Sequence, residues 1–191
     1  MKPAALLILV LAFLAGCTGT ESRPEGTGES YAKLSELALD PEEMPEGTYA
    51  YLEWDVNRSA NLYLSAYNAT RAYSRAGWSR GHGASGGEPA QFVQAIIEYP
   101  QGNAAPAFAL LRNITGHPAE GVLLRWGPDP GIGDESFSIL MMNHSAIRPG
   151  TGTALVAFRK GQIIEMISLE AEAPDPAAVA GAARRAAAKV P

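Results

Sequence analysis

The sequence predicts an α+β fold: an antiparallel β-sheet with helices packed on it, preceded by a signal peptide and a flexible tether. Three observations carry that expectation. Short apolar or alternating runs bounded by Gly and Pro recur along the chain and read as strands. Two of them, Thr153–Arg159 and Gln162–Glu170, flank Lys160-Gly161 as the arms of an antiparallel hairpin. Segments with apolar residues at helical spacing on one face stand between and after them.

Residues 1–16 read as an export signal. Lys2 supplies a positive start, Ala4 to Leu14 are unbroken apolar, and Ala15-Gly16 are small. The run stops at Cys17 and a polar Thr18–Ser22, short of the roughly 20 residues a membrane-spanning helix needs. Leu14-Ala15-Gly16-Cys17 resembles the lipobox of secreted lipoproteins. That resemblance implies that Cys17 becomes the new N-terminus and carries lipid, each buried acyl CH₂ holding the chain to a bilayer by about 0.8 kcal/mol. Cys17 is the only cysteine, so no internal disulfide is expected. Residues 17–30, rich in Gly, Thr, Glu and Pro, read as a flexible tether. Residues 31–191 read as a single α+β domain.

Within that domain a short helix is expected at Tyr31–Leu37, a turn-rich entry at Pro41–Gly47 and a strand at Thr48–Val56. Ser59–Ala76 reads as a helix. Ser59 is a fair N-cap, Leu62, Ala66, Ala69, Tyr73 and Ala76 share a face, Arg71 and Arg75 suit the last turns, and Gly77 is a natural stop. Trp78–His82 and Gln91–Tyr99 read as strands around a Gly-rich turn, with Val93, Ala95, Ile97 and Tyr99 on one face. A helix with Asn103 as its N-cap runs to about Ile114, with Pro106 in its first turn, Ala107, Phe108, Leu111 and Ile114 inward, and Asn113 outward. Gly121–Trp126 and Ser136–Met142 read as strands joined through a rigid loop, Gly127–Gly133. In the hairpin, Gly161 at the second turn position supplies positive φ. Asp175 caps a last helix, Pro176 opens it, and Val179, Ala182, Ala183, Ala186 and Val190 give it a slim face that lies close against a sheet.

Composition narrows the function classes. The formal charge is −5, or −6 once Lys2 is removed, which argues against nucleic acid and against electrostatic attachment to anionic lipid. A 47% hydrophobic content fits a folded globule and not a disordered stalk. Four of the six asparagines, Asn57, Asn68, Asn113 and Asn143, begin an Asn-x-Ser/Thr sequon. Ser and Thr fill 20 of 191 positions, so chance predicts fewer than one match, and the excess indicates an exported, N-glycosylated surface protein. With a lipobox, this favours an archaeal over a bacterial cell surface.

No motif names a reaction. Gly83-Ala84-Ser85-Gly86-Gly87 fits the G-x-S-x-G nucleophile elbow, and Gly81, Gly83 and Gly86 fit G-x-G-x-x-G. Polar Trp78-Ser79-Arg80 before them and Glu88-Pro89 with a strand after them suit neither, and a hairpin loop is expected. His82, His117 and His144 lack partners at ligand spacing, so neither a metal nor another cofactor is expected. Asp134 and Glu135 are adjacent and would diverge in a strand, so a turn-capping Asp is expected instead of a catalytic pair. Glu165, between Ile164 and Met166, is expected half-exposed, with a buried, shifted acid as the alternative. Trp54, Trp78, Trp126, Tyr63 and Tyr67 are expected in the core, with a binding groove as the alternative.

Several pieces together resemble the PsbP-like α+β domain found in exported lipoproteins. They are Gly77-Trp78, the strand ending at Tyr99 with its alanine-rich helix, Gly131-Ile132-Gly133-Asp134-Glu135-Ser136-Phe137, the strand pair around Lys160-Gly161, and the helix opening at Asp175-Pro176. The resemblance covers roughly Pro45 to Val190, and the Gly81–Gly87 insertion is longer than its pattern. It implies an antiparallel sheet with helices on its faces and a non-enzymatic role in binding or assembly at a membrane surface. The expected function is therefore a lipid-anchored, extracytoplasmic binding or accessory domain, contacting the membrane through its lipid and an unknown protein or small ligand. The alternatives are a surface serine hydrolase using Ser85 and a small-ligand sensor or solute-binding domain.

Overall fold

The structure, a computed structural model, describes residues 33–44, 49–55, 67–79, 90–118, 122–143 and 151–191. Its strands are β1 (Tyr49–Asp55), β2 (Arg71–Ser79), β3 (Gln91–Glu98), β4 (Val122–Trp126), β5 (Glu135–Asn143), β6 (Gly152–Lys160) and β7 (Ile163–Ala171). Its helices are α1 (Leu34–Leu37), α2 (Ala104–Thr115) and α3 (Pro176–Lys189), with a 3₁₀ turn at Pro41–Glu43. The strands form one sheet in the order β1-β2-β3-β7-β6-β5-β4. Every neighbouring pair is antiparallel. The sheet is thus two meanders, β1–β3 and β4–β7, joined where β3 pairs with β7. The α2 helix carries the chain from β3 at the centre to β4 at the far edge.

Both faces are covered, and strand alternation decides which residue meets which helix. Under α2 lie Ala72, Ile97, Phe137, Ile139, Leu155, Ala157 and Ile164, packed against Ala104, Ala107, Phe108 and Leu111. Phe108 and Phe137 meet with ring centroids 5.5 Å apart. On the opposite face Phe92, Ile96, Phe158, Ile163, Ile167 and Leu169 pack against Val179, Ala182, Ala183 and Ala186 of α3. The small α3 side chains bring that helix close to the sheet, as its alanine face predicts. Its N-terminus is capped as expected: the Asp175 carboxylate accepts from the Ala177 N–H at 2.8 Å, and Pro176 opens the first turn.

Residues 33–44 lie on the α3 side as a strap. Leu34, Leu37, Ala38, Leu39 and Met44 are buried in the same core. Every backbone–backbone hydrogen bond described for the strap is internal to it: Glu36 to Lys33, Ala38 to Ser35, Glu43 to Asp40, and Met44 to Pro41. Side chains bind it to the rest. Lys189 of α3 donates to the Ala38 carbonyl at 2.9 Å and pairs with Asp40 and Glu43, and Arg185 donates to the Glu43 carbonyl.

Five expectations need correction. The helix expected over Ser59–Ala76 is a strand from Arg71 onward, while residues 56–66 lie outside the described residues. Ala69, Tyr73 and Ala76 satisfy a helical period, but Ala72, Ser74 and Ala76 equally satisfy the period of two. The second prevails because Asn68 turns the chain at a φ of 54° and β2 is paired on both sides. Gly77 therefore stops no helix, and the strand expected at Trp78–His82 begins earlier, inside β2. Asn103 precedes α2 but makes no side-chain cap bond; its amide donates to the Tyr67 carbonyl at 3.0 Å. In the hairpin, Lys160 pairs with Ile163, so Gly161 takes the first turn position, not the second, with a φ of 58°.

Gly133 has a φ of 65°, and a Cβ there would run into the Arg159 carbonyl oxygen. Gly131 has a similar φ of 63° with open space around it. Gly131→Ala should therefore cost about 1 kcal/mol from backbone conformation alone, and Gly133→Ala about 2–3 kcal/mol. Urea unfolding of the two variants checks the difference.

Candidate functional site

Two clusters of polar side chains stand out against the apolar sheet. The first lies at the β3–β7 seam. Glu165 follows Ile164 in the strand alternation, so it points to the α3 side, between Ile96 of β3 and Phe158 of β6 in the register. It is 0% exposed. This overturns the half-exposed expectation and selects the buried acid. A carboxylate there needs partners, and Gln94 supplies one: its Nε2 donates to Glu165 Oε2 at 2.8 Å. Gln94 Oε1 in turn accepts the Leu39 N–H at 2.9 Å, and Arg75 donates to the Leu39 carbonyl. Glu165 Oε1 has no hydrogen-bond partner. Burial pushes the Glu165 carboxyl up to about 8, against the opposing effects of the Gln94 bond and the Lys189 charge.

The second cluster is the loop and strand start Asp129–Ser136. The Asp129 carboxylate accepts from the Gly131 N–H at 3.0 Å and the Ser136 hydroxyl at 2.6 Å. The Ser136 and Gly131 bonds hold that carboxyl below its ordinary range. Asp134 Oδ2 accepts from the Gly161 N–H at 2.9 Å and from Arg159 at 2.8 Å, while Glu135 Oε1 accepts from Arg159 Nε at 2.9 Å. The two carboxylates do not diverge, as expected for a strand, because Asp134 precedes β5; both close on one guanidinium. Asp134 ties the hairpin turn, the turn-capping role expected of an Asp here. The arrangement is a structural corner in which Asp134 and Glu135 share the one Arg159 guanidinium.

Trp126 departs from the core expectation. It ends the edge strand β4 and is 47% exposed. Arg112 sits over its ring at 5.7 Å and Phe137 meets it edge-on at 5.7 Å. A Cβ on Gly116 would come within 3.0 Å of the ring, so the indole closes the C-terminal end of α2. Leu123, on the same strand, is 44% exposed. Tyr67 is half-buried against the α2-side core.

The other sequence-derived candidates are distributed as follows. Cys17, Asn57, Tyr63, His82, Ser85 and His144 lie outside the described residues, as does the Gly81–Gly87 loop. Trp54, Trp78 and Asn143 are placed by their backbones in β1, β2 and β5. Asn68 and Asn113 are exposed, and His117 is exposed with Nδ1 2.7 Å from the Asn113 carbonyl. Among the described residues no three His, Cys, Asp or Glu side chains group to hold a metal, and no helix is long and apolar enough to cross a membrane. Sequence reasoning missed Gln94, Arg75 and the strap. The signal available was a Gln amid Phe92, Ala95, Ile96 and Ile97, where every neighbour predicts burial.

No family model and no curated protein matches the chain. Among solved structures, the chain is similar to the extracellular domain of PknH from Mycobacterium tuberculosis, at 10% identity and a TM-score of 0.55 over 81% of this chain and 93% of that one. That likeness concerns the fold.

Asp134→Ala removes the acceptor of a turn N–H as well as one ion pair, and should cost about 1–2 kcal/mol. Glu135→Ala removes an exposed ion pair only, and should cost about 0.5 kcal/mol or less. Chemical denaturation of the two variants separates the turn-tying bond from the surface charge.

Proposed function

We propose that this chain is a membrane-anchored extracytoplasmic lipoprotein whose PsbP-like α+β domain binds a partner and carries out no catalysis of its own. The observation that carries the reading is the agreement of two independent features. Residues 1–16, ahead of Cys17, read as an export signal, and the fold is similar to that of a chain described as an extracellular domain. The exposure of Asn68 and Asn113 supports N-glycosylation, which needs accessible side chains. The acids that meet at the loop corner are held by Arg159, and Glu165 is sealed from solvent, which favours binding over acid–base chemistry. The partner is a protein or small ligand at the cell surface, with the acyl chain as the membrane contact.

Detergent phase partition tests the anchor. The wild-type protein should enter the detergent phase and Cys17→Ser should remain in the aqueous phase. A Cys17→Ser protein still bound to membranes refutes the lipoprotein reading. The serine-hydrolase alternative is tested with a fluorophosphonate probe, which should leave the protein unlabelled. Labelling that disappears in Ser85→Ala would replace this reading with a surface hydrolase.

A further inference from the structure

The strap and the buried Glu165 are parts of one device. Gln94 has a single amide orientation that suits the Leu39 N–H, with Oε1 accepting and Nε2 turned to Glu165. Glu165 must therefore accept at Oε2, and its acid proton resides on Oε1, where no acceptor waits. While that proton is in place the carboxyl is neutral and tolerates burial. Once it is lost, a charge sits between Ile96 and Phe158.

Among the described residues, the cations on that face hold other groups, and Lys189 acts on Glu165 only through its charge. Arg75 of β2 is turned to the Leu39 carbonyl, and Arg71 pairs with Glu98 of β3. Lys160 of β6 donates to the Ala187 and Val190 carbonyls. On α3, Arg185 holds the Glu43 carbonyl, and Lys189 holds Ala38, Asp40 and Glu43. The Glu43 and Asp40 carboxylates outweigh the effect of burial on Lys189 and keep it raised and charged. An ionised Glu165 therefore gains hydration only if something above it lifts. The strap is the element fitted to do so, since no described backbone–backbone hydrogen bond ties it to the sheet or to a helix outside it.

We infer that residues 33–44 are a releasable strap, latched by the relay from Leu39 through Gln94 to Glu165, and that the latch opens when Glu165 gives up its proton to solvent. The sign follows from linkage. The closed state holds the proton up to about pH 8, and an open, hydrated carboxyl returns toward its ordinary value of 4.5. Opening thus releases a proton between these values. Its equilibrium constant rises by up to about ten-fold per pH unit across that window, levels off above it and is flat below it. If the chain is anchored at Cys17, opening also lengthens the tether by up to about 40 Å of extended chain. That consequence rests on the proposed anchoring; the latch does not, and the test below needs no membrane.

Amide hydrogen exchange on the whole chain, corrected for intrinsic rates, reads the strap directly. Between about pH 6 and pH 8, protection of the strap amides, Leu39 among them, should fall by up to about ten-fold per unit and stay well below that of the β6 and β7 amides, whose exchange needs openings that break the ladders. In Glu165→Gln the strap should show no such slope. Gln94→Ala leaves Glu165 in place but cuts the relay, and should lower strap protection already at pH 6. A strap whose protection equals that of β6 and β7 at each pH, so that it is exposed only when they are, overturns the proposal. So does a Glu165→Gln protein with the wild-type slope, or a Gln94→Ala protein with an unchanged strap. Should Glu165→Gln fail to fold, Glu165→Leu removes the same proton and is read in the same way.

Discussion

The seam between β3 and β7 is the constraint from which the rest of the structure follows. It runs from the pair Gln91–Glu170 to the pair Glu98–Ile163, joining two meanders distant in sequence. Both strands then have a neighbour on each side and helices above and below. They must be apolar on both faces, which accounts for Phe92 and Ile96 opposite Ala95 and Ile97, and for Ile163 and Ile167 opposite Ile164. It also accounts for the polar relay. Gln94 and Glu165 project from the two seam strands and are fully buried, so the Gln94 amide is turned to one Glu165 oxygen. The strap completes the circuit through both backbone groups of Leu39.

The parts of this fold legible in the sequence are those with local causes. The β6–β7 hairpin, α2, α3 and its Asp175 cap each announce themselves within a dozen residues, through a turn glycine, a periodic stripe or a capping side chain. β2 is ambiguous in the sequence because alanine serves either period. Small Ala72, Ser74 and Ala76 alternate with Tyr73 and Arg75, and this alternation marks the face that α2 approaches, but nothing local says that a helix lies there. Glu165 shows the same limit from the energetic side. A carboxylate in an apolar strand is expected to reach water, and its burial becomes reasonable only with Gln94, whose pairing lies 71 residues away in the chain. That pairing is a property of the seam and not of either segment. The hairpin turn slipped by one position for a lesser reason: both Lys160-Gly161 and Gly161-Gln162 place a glycine in a two-residue turn, and only the ladder chooses between them.

The Gly131–Phe137 segment is accounted for by structure. Gly133 lets the loop backbone reach the Arg159 carbonyl, where the Asp134 N–H donates at 2.8 Å. Asp134, Glu135 and Ser136 then bind the hairpin turn, the guanidinium and the loop's own Asp129. Such a pattern identifies a joint between two connections, and joints persist across functions. It directs the search for function away from these acids and toward surfaces.

The two layers on the sheet are held in different ways, and chain connectivity sets the difference. α2 is bounded at both ends by strands of the sheet, so it cannot leave without straining β3 or β4. The strap precedes β1 and contributes nothing to any ladder, so it can leave with every strand pair intact. Its buried leucines hold it by area, which does not respond to pH, while its side-chain latch passes through a carboxyl that does. In a chain anchored N-terminal to the strap, any pull between anchor and sheet reaches the strap before it reaches β1. The element closest to the load is therefore also the element whose release leaves the sheet whole.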